Sequence, residues 1–396
     1  MDIEKLASED IQEFIHANSD ADIAALSLQK WQYPEWPKNE ILQQIKSLQK
    51  AKQKLTSWTT RKGIIFPIPN LIEQASSEFT ANYKKEITAI GKIFADLTAG
   101  TGSDSIALSS NFSSGYCIEA DKGNAYLLQH NLPLLSNTPL EVLHGLAEDL
   151  LPNLPRVDLI FIDPQRRTDT GKKGLFRLEK TSPNIIELLP LLKEKADYIL
   201  IKTSPFMDIT EGLRQLPGTY EVHVVEHDKQ CKELLFLIDT QNKEENITVY
   251  SADIDQNNIY KTVYPPIPVT DITLSVPLSY IYEPGPALMK SELHTNYAKE
   301  HGLYKLAPST HIYTSNTYLE NYPGRCLKVI DTLSADKKAI TKALPNGQAN
   351  ISVRNFPDTP ENLRKKWKLK DGGEYTLFVC TIDKKGHKAI LCSYPQ

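Results

Sequence analysis

Five short apolar runs, separated by polar and helix-like segments, organise the chain between residues 93 and 202. Each run has the length and β-branched or aromatic content of a buried strand. Between them, residues 124–131 and 183–192 have the character of helices. Strands that alternate with helices form parallel sheets, because each crossover needs the length of a helix. The pattern predicts an α/β doubly wound sheet whose strands end at Asp96, Glu119, His144, Ile162 and Lys202.

Two longer apolar runs follow, TYEVHVVEH and ELLFLIDT, and they flank Asp228-Lys229-Gln230. Two strands joined by so short a polar segment predict a β-hairpin. The hairpin brings an antiparallel last strand to the otherwise parallel sheet, and we expect this domain to end near residue 242.

The flanking regions have different patterns. Residues 1 to about 60 show helical spacing, and residues 71–83 predict one amphipathic helix with Asn70 as its N-cap. Beyond residue 246, short alternating runs are broken by prolines, and the order β-α-β-α-β-β from Cys326 predicts a small α+β domain. We therefore expect segments at 1–62 (helical), 63–242 (α/β), 243–322 (β-rich and ferredoxin-like) and 323–396 (α+β).

The composition, 40% hydrophobic and 24% charged among 396 residues, is that of a globular protein. No apolar run approaches the ~18 residues of a membrane helix. The five cysteines are scattered without a Cys-x-x-Cys pair, which predicts free thiols, a reducing cytoplasm and no metal site. The net charge of −4 does not favour nucleic acid globally, although a local basic face remains compatible with it.

The turn after the first strand, Thr98-Ala99-Gly100-Thr101-Gly102, carries the first candidate chemistry. Glycines can adopt positive φ and let the backbone approach a ligand closely, and a helix N-terminus then presents N–H groups to it. Glu119, which ends the next strand, is placed to accept two ribose hydroxyls. The unit predicts a nucleotide site.

The order Asp96-x-x-x-Gly100-x-Gly102 resembles the first motif of class I S-adenosylmethionine-dependent methyltransferases. The resemblance implies a Rossmann-like sheet of seven strands with an antiparallel last strand. It also implies that Asp96 and Thr98 lie near the methionine end of the cofactor, Gly100 and Gly102 lie under it, and Glu119 holds the ribose.

Two neighbouring segments gain roles from the same resemblance. In many of these enzymes a helix before the first strand closes over the methionine moiety, and there Gln74 and Ser77 could meet its ammonium or carboxylate. The turn after the third strand packs on the adenine, and it contains Ala147 and Glu148, the latter a substitute for an acid that usually stands at Leu146.

The residues after the fourth strand, Asp163-Pro164-Gln165-Arg166-Arg167, line the methyl-acceptor pocket in this family. Enzymes that methylate exocyclic amines of bases show Asp/Asn/Ser-Pro-Pro followed by an aromatic ring, so Asp163 and Pro164 match. Arg166 replaces the ring, and a guanidinium can also stack on a base or bind phosphate. Arg167 is a further candidate for RNA contact. Lys202 ends the fifth strand nearby, as a cation for phosphate or as the partner of an acid.

A larger resemblance covers most of the chain. The segments EQASSEFTANYK, DLTAGTGSDS, FIDPQRR, YEPGPALMKS, KLAPSTHIYTS and RNFPDTPENLRKKWKLKDGGEYTLF are similar to a bacterial family of class I methyltransferases with a ferredoxin-like segment and a THUMP-like C-terminal domain. Matched THUMP domains accompany enzymes that modify tRNA or rRNA, so RNA is the implied partner. The basic residues around Trp367 fit phosphate binding and base stacking, and they are Arg364, Lys365, Lys366 and Lys368.

The predicted activity is direct transfer of the methyl group from S-adenosylmethionine to a base nitrogen of RNA. Three alternatives stay open. A nicotinamide-dependent oxidoreductase would need a third glycine near Ser105. A non-catalytic RNA-binding protein would explain the missing ring after Asp163-Pro164. A methyltransferase acting on a protein or small molecule would leave the basic C-terminal face without a role.

Overall fold

The computed structural model describes residues 2–166, 177–241, 246–255, 258–265 and 269–395. The chain divides into two compact units, and the division runs through one hairpin. The first unit comprises Met1–Val222, Lys232–Ile247 and Ile254–Asn257, and the second comprises His223–Cys231, Thr248–Asp253 and Asn258–Gln396. Each unit is described by itself.

The helices of the described residues are mostly short. They are α1 (Ile3–Leu6), α2 (Glu9–Ala17), α3 (Ile23–Leu28), α4 (Lys38–Lys54), α5 (Pro69–Gln74), α6 (Glu78–Ile87), α7 (Ser103–Ser109), α8 (Lys122–Leu135), α9 (Ala147–Leu150), α10 (Ile185–Lys195), α11 (Ile209–Gln215), α12 (Pro286–Lys290), α13 (His294–Glu300), α14 (Lys337–Ala343) and α15 (Pro360–Trp367).

The strands are β1 (Ile93–Asp96), β2 (Ser114–Glu119), β3 (Leu140–His144), β4 (Val157–Ile162), β5 (Gln165–Arg166), β6 (Thr181–Ser182), β7 (Ala196–Thr203), β8 (Thr219–His227), β9 (Gln230–Asp239), β10 (Thr248–Ile254), β11 (Ile259–Tyr264), β12 (Tyr280–Pro284), β13 (Tyr304–Ala307), β14 (Thr310–Ser315), β15 (Gly324–Ser334), β16 (Asn350–Arg354), β17 (Tyr375–Ile382) and β18 (Gly386–Ser393).

The larger sheet confirms the predicted α/β class. Its order is β11-β10-β8-β9-β7-β4-β1-β2-β3. Strands β1, β2, β3, β4 and β7 pair in parallel, and β9 runs antiparallel to β7 as predicted. The predicted count of seven strands is not confirmed, because β10 and β11 extend the order beyond β8. The hairpin turn uses Asp228 and Lys229, both at positive φ (53° and 58°), the geometry that suits a two-residue hairpin.

The centre of this sheet is fully buried. In β4, Ile160, Phe161 and Ile162 are at most 1% exposed, as expected for parallel strands covered on both faces. Because the parallel strands share one direction, their carboxyl ends meet at one edge of the sheet. This edge is where α/β sheets bind ligands, and the candidate residues that follow the strands come together there.

The amphipathic helix predicted over residues 71–83 is two helices, α5 and α6. The chain leaves the helical conformation at Ala75 (ψ 153°), and the Ser77 side chain caps α6 by accepting a hydrogen bond from the N–H of Thr80. Helical spacing alone did not reveal this break. Its consequence is that Ser76, between the helices, lies buried at 7% exposure.

The N-terminal segment is helical, as predicted. Apolar residues of α1 to α5 form one buried core, which includes Ile41, Ile45 and Leu48 of α4 and also Leu127 of α8. Burial of such an apolar stripe is what stabilises helices as short as these.

The second unit contains a seven-stranded sheet in the order β13-β14-β12-β15-β18-β17-β16. Its pairs are antiparallel except β16 with β17, which is parallel. Helices α14 and α15 cover part of one face, where Ile340, Leu363 and Trp367 pack against Leu377 and Leu391. The predicted C-terminal α+β domain is therefore present.

Candidate active site at the carboxyl edge of the sheet

The turn between β1 and α7 has the backbone that the glycines predicted. Gly100 and Gly102 lie at φ +54° and +88°. A Cβ on Gly102 would stand 2.8 Å from Leu128 Cδ2, so this glycine permits close packing against α8. A Cβ on Gly100 would meet no atom nearer than the carbonyl oxygen of Thr98, 3.8 Å away. The backbone at Gly100 therefore presents a surface that a ligand can approach.

Glu119 lies beside this turn. Its Oε2 accepts a hydrogen bond from the N–H of Gly100 (2.8 Å), and its Oε1 accepts one from the N–H of Asp121 (2.8 Å). These bonds fix the carboxylate at the end of β2, and each oxygen keeps a second lone pair for a hydroxyl donor. The geometry fits a carboxylate that holds two ribose hydroxyls.

Asp96, at the end of β1, is completely buried. Ser105 Oγ donates to its Oδ2 (2.5 Å), and the N–H of Thr98 donates to its Oδ1 (3.0 Å). Burial raises the pKa of Asp96 to about 7, although both hydrogen bonds favour the charged form. The residue therefore titrates near neutral pH, and a cationic ligand close to it would favour its ionised state.

The Asp163-Pro164 segment is tied directly to the turn between β1 and α7. The N–H of Asp163 donates to Thr98 Oγ1 (2.7 Å), and Lys202 Nζ lies 2.5 Å from Asp163 Oδ2. Pro164 is buried, whereas the side chain of Asp163 is 37% exposed. Residues at the ends of β1, β4 and β7 thus meet at Asp163, and solvent can reach its carboxylate.

The sequence did not reveal the buried charges behind this carboxylate. Lys84 of α6 lies 3.1 Å from Asp104 and 2.6 Å from Glu233 of β9, and Lys202 lies 4.0 and 3.9 Å from the same two carboxylates. Burial disfavours the ammonium of Lys202, but the carboxylates outweigh burial, those of Asp163 and Asp104 most of all, and raise its pKa. Burial raises the pKa of Glu233, whereas Lys84 and Lys202 overcome burial and lower that of Asp104.

The remaining cofactor candidates have different positions. Gln74 is exposed, and Ser77 serves as the N-cap of α6, so the hydroxyl that enters the charged cluster is that of Ser76. Ala147 is buried at the start of α9, and Glu148 beside it is partly exposed. Leu146 is 52% exposed at the end of β3, where an apolar side chain can pack on a planar ring.

The basic candidates separate into two groups. The backbone of Arg166 forms β5 with Gln165, and Arg167 lies outside the described residues. On α15 and just beyond it, Lys365, Lys366 and Lys368 are exposed, whereas Arg364 is half-buried and pairs with Asp371. Trp367 is 2% exposed and packs in the core, so its ring offers no stacking surface between these basic residues.

An exposed aromatic ring that the sequence analysis missed follows β7. Phe206 is 80% exposed, while its neighbour Met207 is fully buried. Two hydrogen bonds shape the turn, because the N–H groups of Phe206 and Met207 donate to Ser204 Oγ (3.3 Å) and Ser204 O (2.9 Å). The ring therefore stands at the carboxyl end of β7, four residues after Lys202. An aromatic residue after the fifth predicted strand would have been the sequence signal for it.

The chain is similar to known proteins in its C-terminal region and over most of its length. Two domain models match the C-terminal region, a ferredoxin-like domain at residues 280–323 and a THUMP domain-like model at residues 324–394. Two strains of Mycobacterium tuberculosis, CDC 1551 and H37Rv, each carry an uncharacterized S-adenosylmethionine-dependent methyltransferase that is 24% identical over 319 residues. The alignment covers 78% of this chain and 83% of each relative.

A crystal structure agrees over the whole length. A protein of Porphyromonas gingivalis W83, provisionally assigned as a methyltransferase, is 28% identical, with a TM-score of 0.88 over 100% of this chain and 99% of that one. This chain is an S-adenosylmethionine-dependent methyltransferase with a THUMP-like C-terminal domain.

The methyltransferase has backbone and side-chain groups that suit its cofactor. The open backbone at Gly100 leaves room for the ligand, Glu119 offers acceptors for hydroxyls, and Leu146 offers an apolar surface for a ring.

In the described ranges, no helix combines the length and apolar character needed to cross a membrane.

Proposed function

We propose that this methyltransferase transfers the methyl group to a nitrogen of an RNA base. The observation that carries the proposal is the 2.7 Å hydrogen bond from the N–H of Asp163 to Thr98 Oγ1. This bond fixes the acceptor motif against the turn that we assign to the cofactor. Asp163 and Pro164 are the residues that we assign to the acceptor, and they stand beside the point where the methyl group would be delivered.

The chain's own residues provide orientation rather than a strong base. The lone pair of an exocyclic base amine is delocalised into the ring, so the amine is a weak nucleophile. Hydrogen bonds from the amine to the carboxylate of Asp163 and the carbonyl of Pro164 would localise the lone pair on nitrogen. Holding the amine in line with the methyl group then supplies much of the rate, because the reaction becomes effectively unimolecular.

When bound, S-adenosylmethionine supplies an electrophilic methyl group on a sulfonium sulfur. Glu119 would hold its ribose, Leu146 and Ala147 its adenine side, and Asp96 and Thr98 would lie at its methionine end. The carboxylates of Asp96 and Asp163 would then stand near the positive charges of the cofactor. A proton from the methylated amine leaves to solvent through the exposed side of Asp163.

Support for RNA comes from the second unit. The THUMP-like match covers residues 324–394, and within it Lys365, Lys366 and Lys368 are exposed around the end of α15. Clustered lysines bind the phosphate backbone without reading sequence. At the active site, the exposed ring of Phe206 offers a stacking surface that compensates for the missing ring after Asp163-Pro164.

Comparing modified nucleosides in cells tests the proposal. Total tRNA and rRNA from cells with and without the protein would be digested and analysed by mass spectrometry. We expect one N-methylated nucleoside to disappear with the protein, to return with the wild-type chain and to stay absent with Asp163→Ala. Unchanged nucleosides in both RNA classes would contradict RNA as the substrate.

A further inference from the structure

Four buried charged side chains stand behind Asp163. Lys84, Glu233, Asp104 and Lys202 have side-chain exposures of 0%, 3%, 11% and 13%. They come from α6, β9, α7 and β7, which are far apart in the sequence. Burying so many charges is costly unless each is paired. The cofactor contacts assigned above do not involve Lys84 or Glu233, so their presence needs another explanation.

The arrangement places two ammonium groups around two carboxylates. Lys84 Nζ is close to both, at 3.1 Å from Asp104 Oδ1 and 2.6 Å from Glu233 Oε1. Lys202 Nζ is farther from both, at 4.0 Å from Asp104 Oδ2 and 3.9 Å from Glu233 Oε2, and instead contacts Asp163 at 2.5 Å.

Ser76 links the members of this group. Its Oγ donates to Asp104 Oδ2 (2.7 Å) and accepts hydrogen bonds from Lys84 (3.3 Å) and Lys202 (3.2 Å). Lys84 also donates to the carbonyl of Thr80 (3.2 Å). The break between α5 and α6 that exposes Ser76 to the cluster is therefore part of the same arrangement.

We propose that Lys84 is a positioning residue for methyl transfer. By pairing with both Asp104 and Glu233, it leaves the ammonium of Lys202 to Asp163 and so fixes the carboxylate that meets the acceptor. The inference rests on the proposed function only in assigning the acceptor to Asp163. Without Lys84, two buried carboxylates would lack a counter-ion, and Lys202 is the nearest cation that could move toward them.

The test compares a variant that changes the net charge of the buried group with a second variant that restores it. In Lys84→Met we expect Lys202 to leave Asp163 for Asp104 and Glu233, and methyl transfer to fall roughly 100-fold, the typical effect of a misplaced reacting group. Binding of S-adenosylmethionine should remain. Lys84→Met/Glu233→Gln removes one negative charge together with the positive one, so the net charge of the group equals that of the wild type. Lys202 should then return to Asp163, and transfer should recover.

Two readouts are needed, crystal structures of the variants and transfer of labelled methyl to whichever cell fraction accepts it from the wild-type enzyme. The second readout keeps this test separate from the proposed function, because label in protein instead of RNA would overturn only the latter. Glu283→Gln is the matched control. Glu283 is a buried carboxylate of the second unit, paired with Arg325 (2.6 Å), and its loss should affect neither readout.

Three results would overturn the proposal. The first is a Lys84→Met structure in which Lys202 still contacts Asp163. The second is normal transfer although that contact is lost, and the third is a double variant that stays inactive. If Lys84→Met does not fold, Lys84→Gln carries the same expectations, because its uncharged amide can still hydrogen-bond both carboxylates.

Discussion

At the scale of single residues, the proposed binding site for the ribose of the cofactor rests on Glu119. Glu119→Ala removes acceptors for two hydroxyls and also the partner of the Gly100 N–H. Hydrogen bonds to a charged group contribute about 1.5–3 kcal/mol, so the dissociation constant for S-adenosylmethionine should rise at least about tenfold. Calorimetry measures this directly, and an unchanged constant would remove Glu119 from the ribose.

Asp96 gives a prediction about pH. Its pKa in the folded chain, about 7, lies above its ordinary value of 3.8, so the folded chain retains a proton that the unfolded chain has released. The stability contributed by this proton is present below pH 4 and is lost as pH rises to about 7. Relative to Asp96→Asn, the wild type should lose up to about 1.4 kcal/mol of unfolding free energy per pH unit in this window.

Urea unfolding of both proteins between pH 4 and pH 8 would measure the difference. The two free energies should diverge up to about pH 7 and then run parallel. Parallel behaviour throughout that window would show that Asp96 is ionised in the folded chain.

Phe206 is the residue whose proposed role depends most directly on a nucleic-acid base as the methyl acceptor. Stacking of a base on an aromatic ring contributes about 1–3 kcal/mol. Phe206→Ala should therefore raise the concentration of RNA needed for half-maximal methyl transfer, whereas Phe206→Tyr, which keeps a ring, should not. Because the side chain is 80% exposed, the stability of both variants should equal that of the wild type. Equal transfer by the two variants would exclude the stacking role.

At the scale of elements, the turn between β1 and α7 contains two glycines with different roles. Gly102 permits close packing, and Gly100 leaves room for a ligand. Gly102→Ala brings a Cβ within 2.8 Å of Leu128 at φ +88°, and we expect it to cost about 1–3 kcal/mol of unfolding free energy. Gly100→Ala meets no such neighbour, so its stability cost should be smaller. Its Cβ nevertheless stands on the open side, and cofactor affinity should fall.

Unfolding midpoints and cofactor calorimetry on this matched pair distinguish the two roles. If Gly100→Ala kept full cofactor affinity, the cofactor would not lie against this turn.

The elements also show why part of the site was predictable. Asp96, Glu119, Asp163 and Lys202 each end or directly follow a predicted strand, and parallel strands bring their carboxyl ends to one edge. Their meeting therefore follows from the fold class. The break between α5 and α6, before Ser77, could not be predicted from the fold class or the sequence pattern. The apolar residues keep their helical spacing through the break, and only the cap geometry changes.

The buried charged residues could not be predicted from the sequence for a related reason. Lys84 and Asp104 are on helices whose rotation about their axes is set by tertiary packing, and Glu233 is on the antiparallel strand β9. Charged residues in such positions are usually solvated, so only the packing reveals that these three are paired in the interior. Similarly, the basic residues around Trp367 suggested a stacking surface, whereas the ring fills the core of the second unit.

At the scale of the whole molecule, the basic end of α15 should contribute to RNA affinity. Lys365→Glu/Lys366→Glu reverses two exposed charges, whereas Lys384→Glu/Lys385→Glu makes the same change at the exposed turn between β17 and β18. We expect only the first to weaken RNA binding and to reduce its salt dependence, since each lost phosphate contact lowers the salt slope by roughly one. Filter binding at several salt concentrations measures both, and equal loss in the two variants would indicate a nonspecific effect of net charge.

The most direct measurement of the central claim is transfer of labelled methyl from S-adenosylmethionine to total tRNA, rRNA, DNA and protein, each prepared from cells lacking this enzyme. We predict label in one RNA fraction from the wild-type chain. With Asp163→Ala we predict no label, although cofactor binding persists. Label found only in protein, or no label in any fraction, would contradict methylation of an RNA base. Transfer that persists in Asp163→Ala would contradict the assignment of the acceptor site.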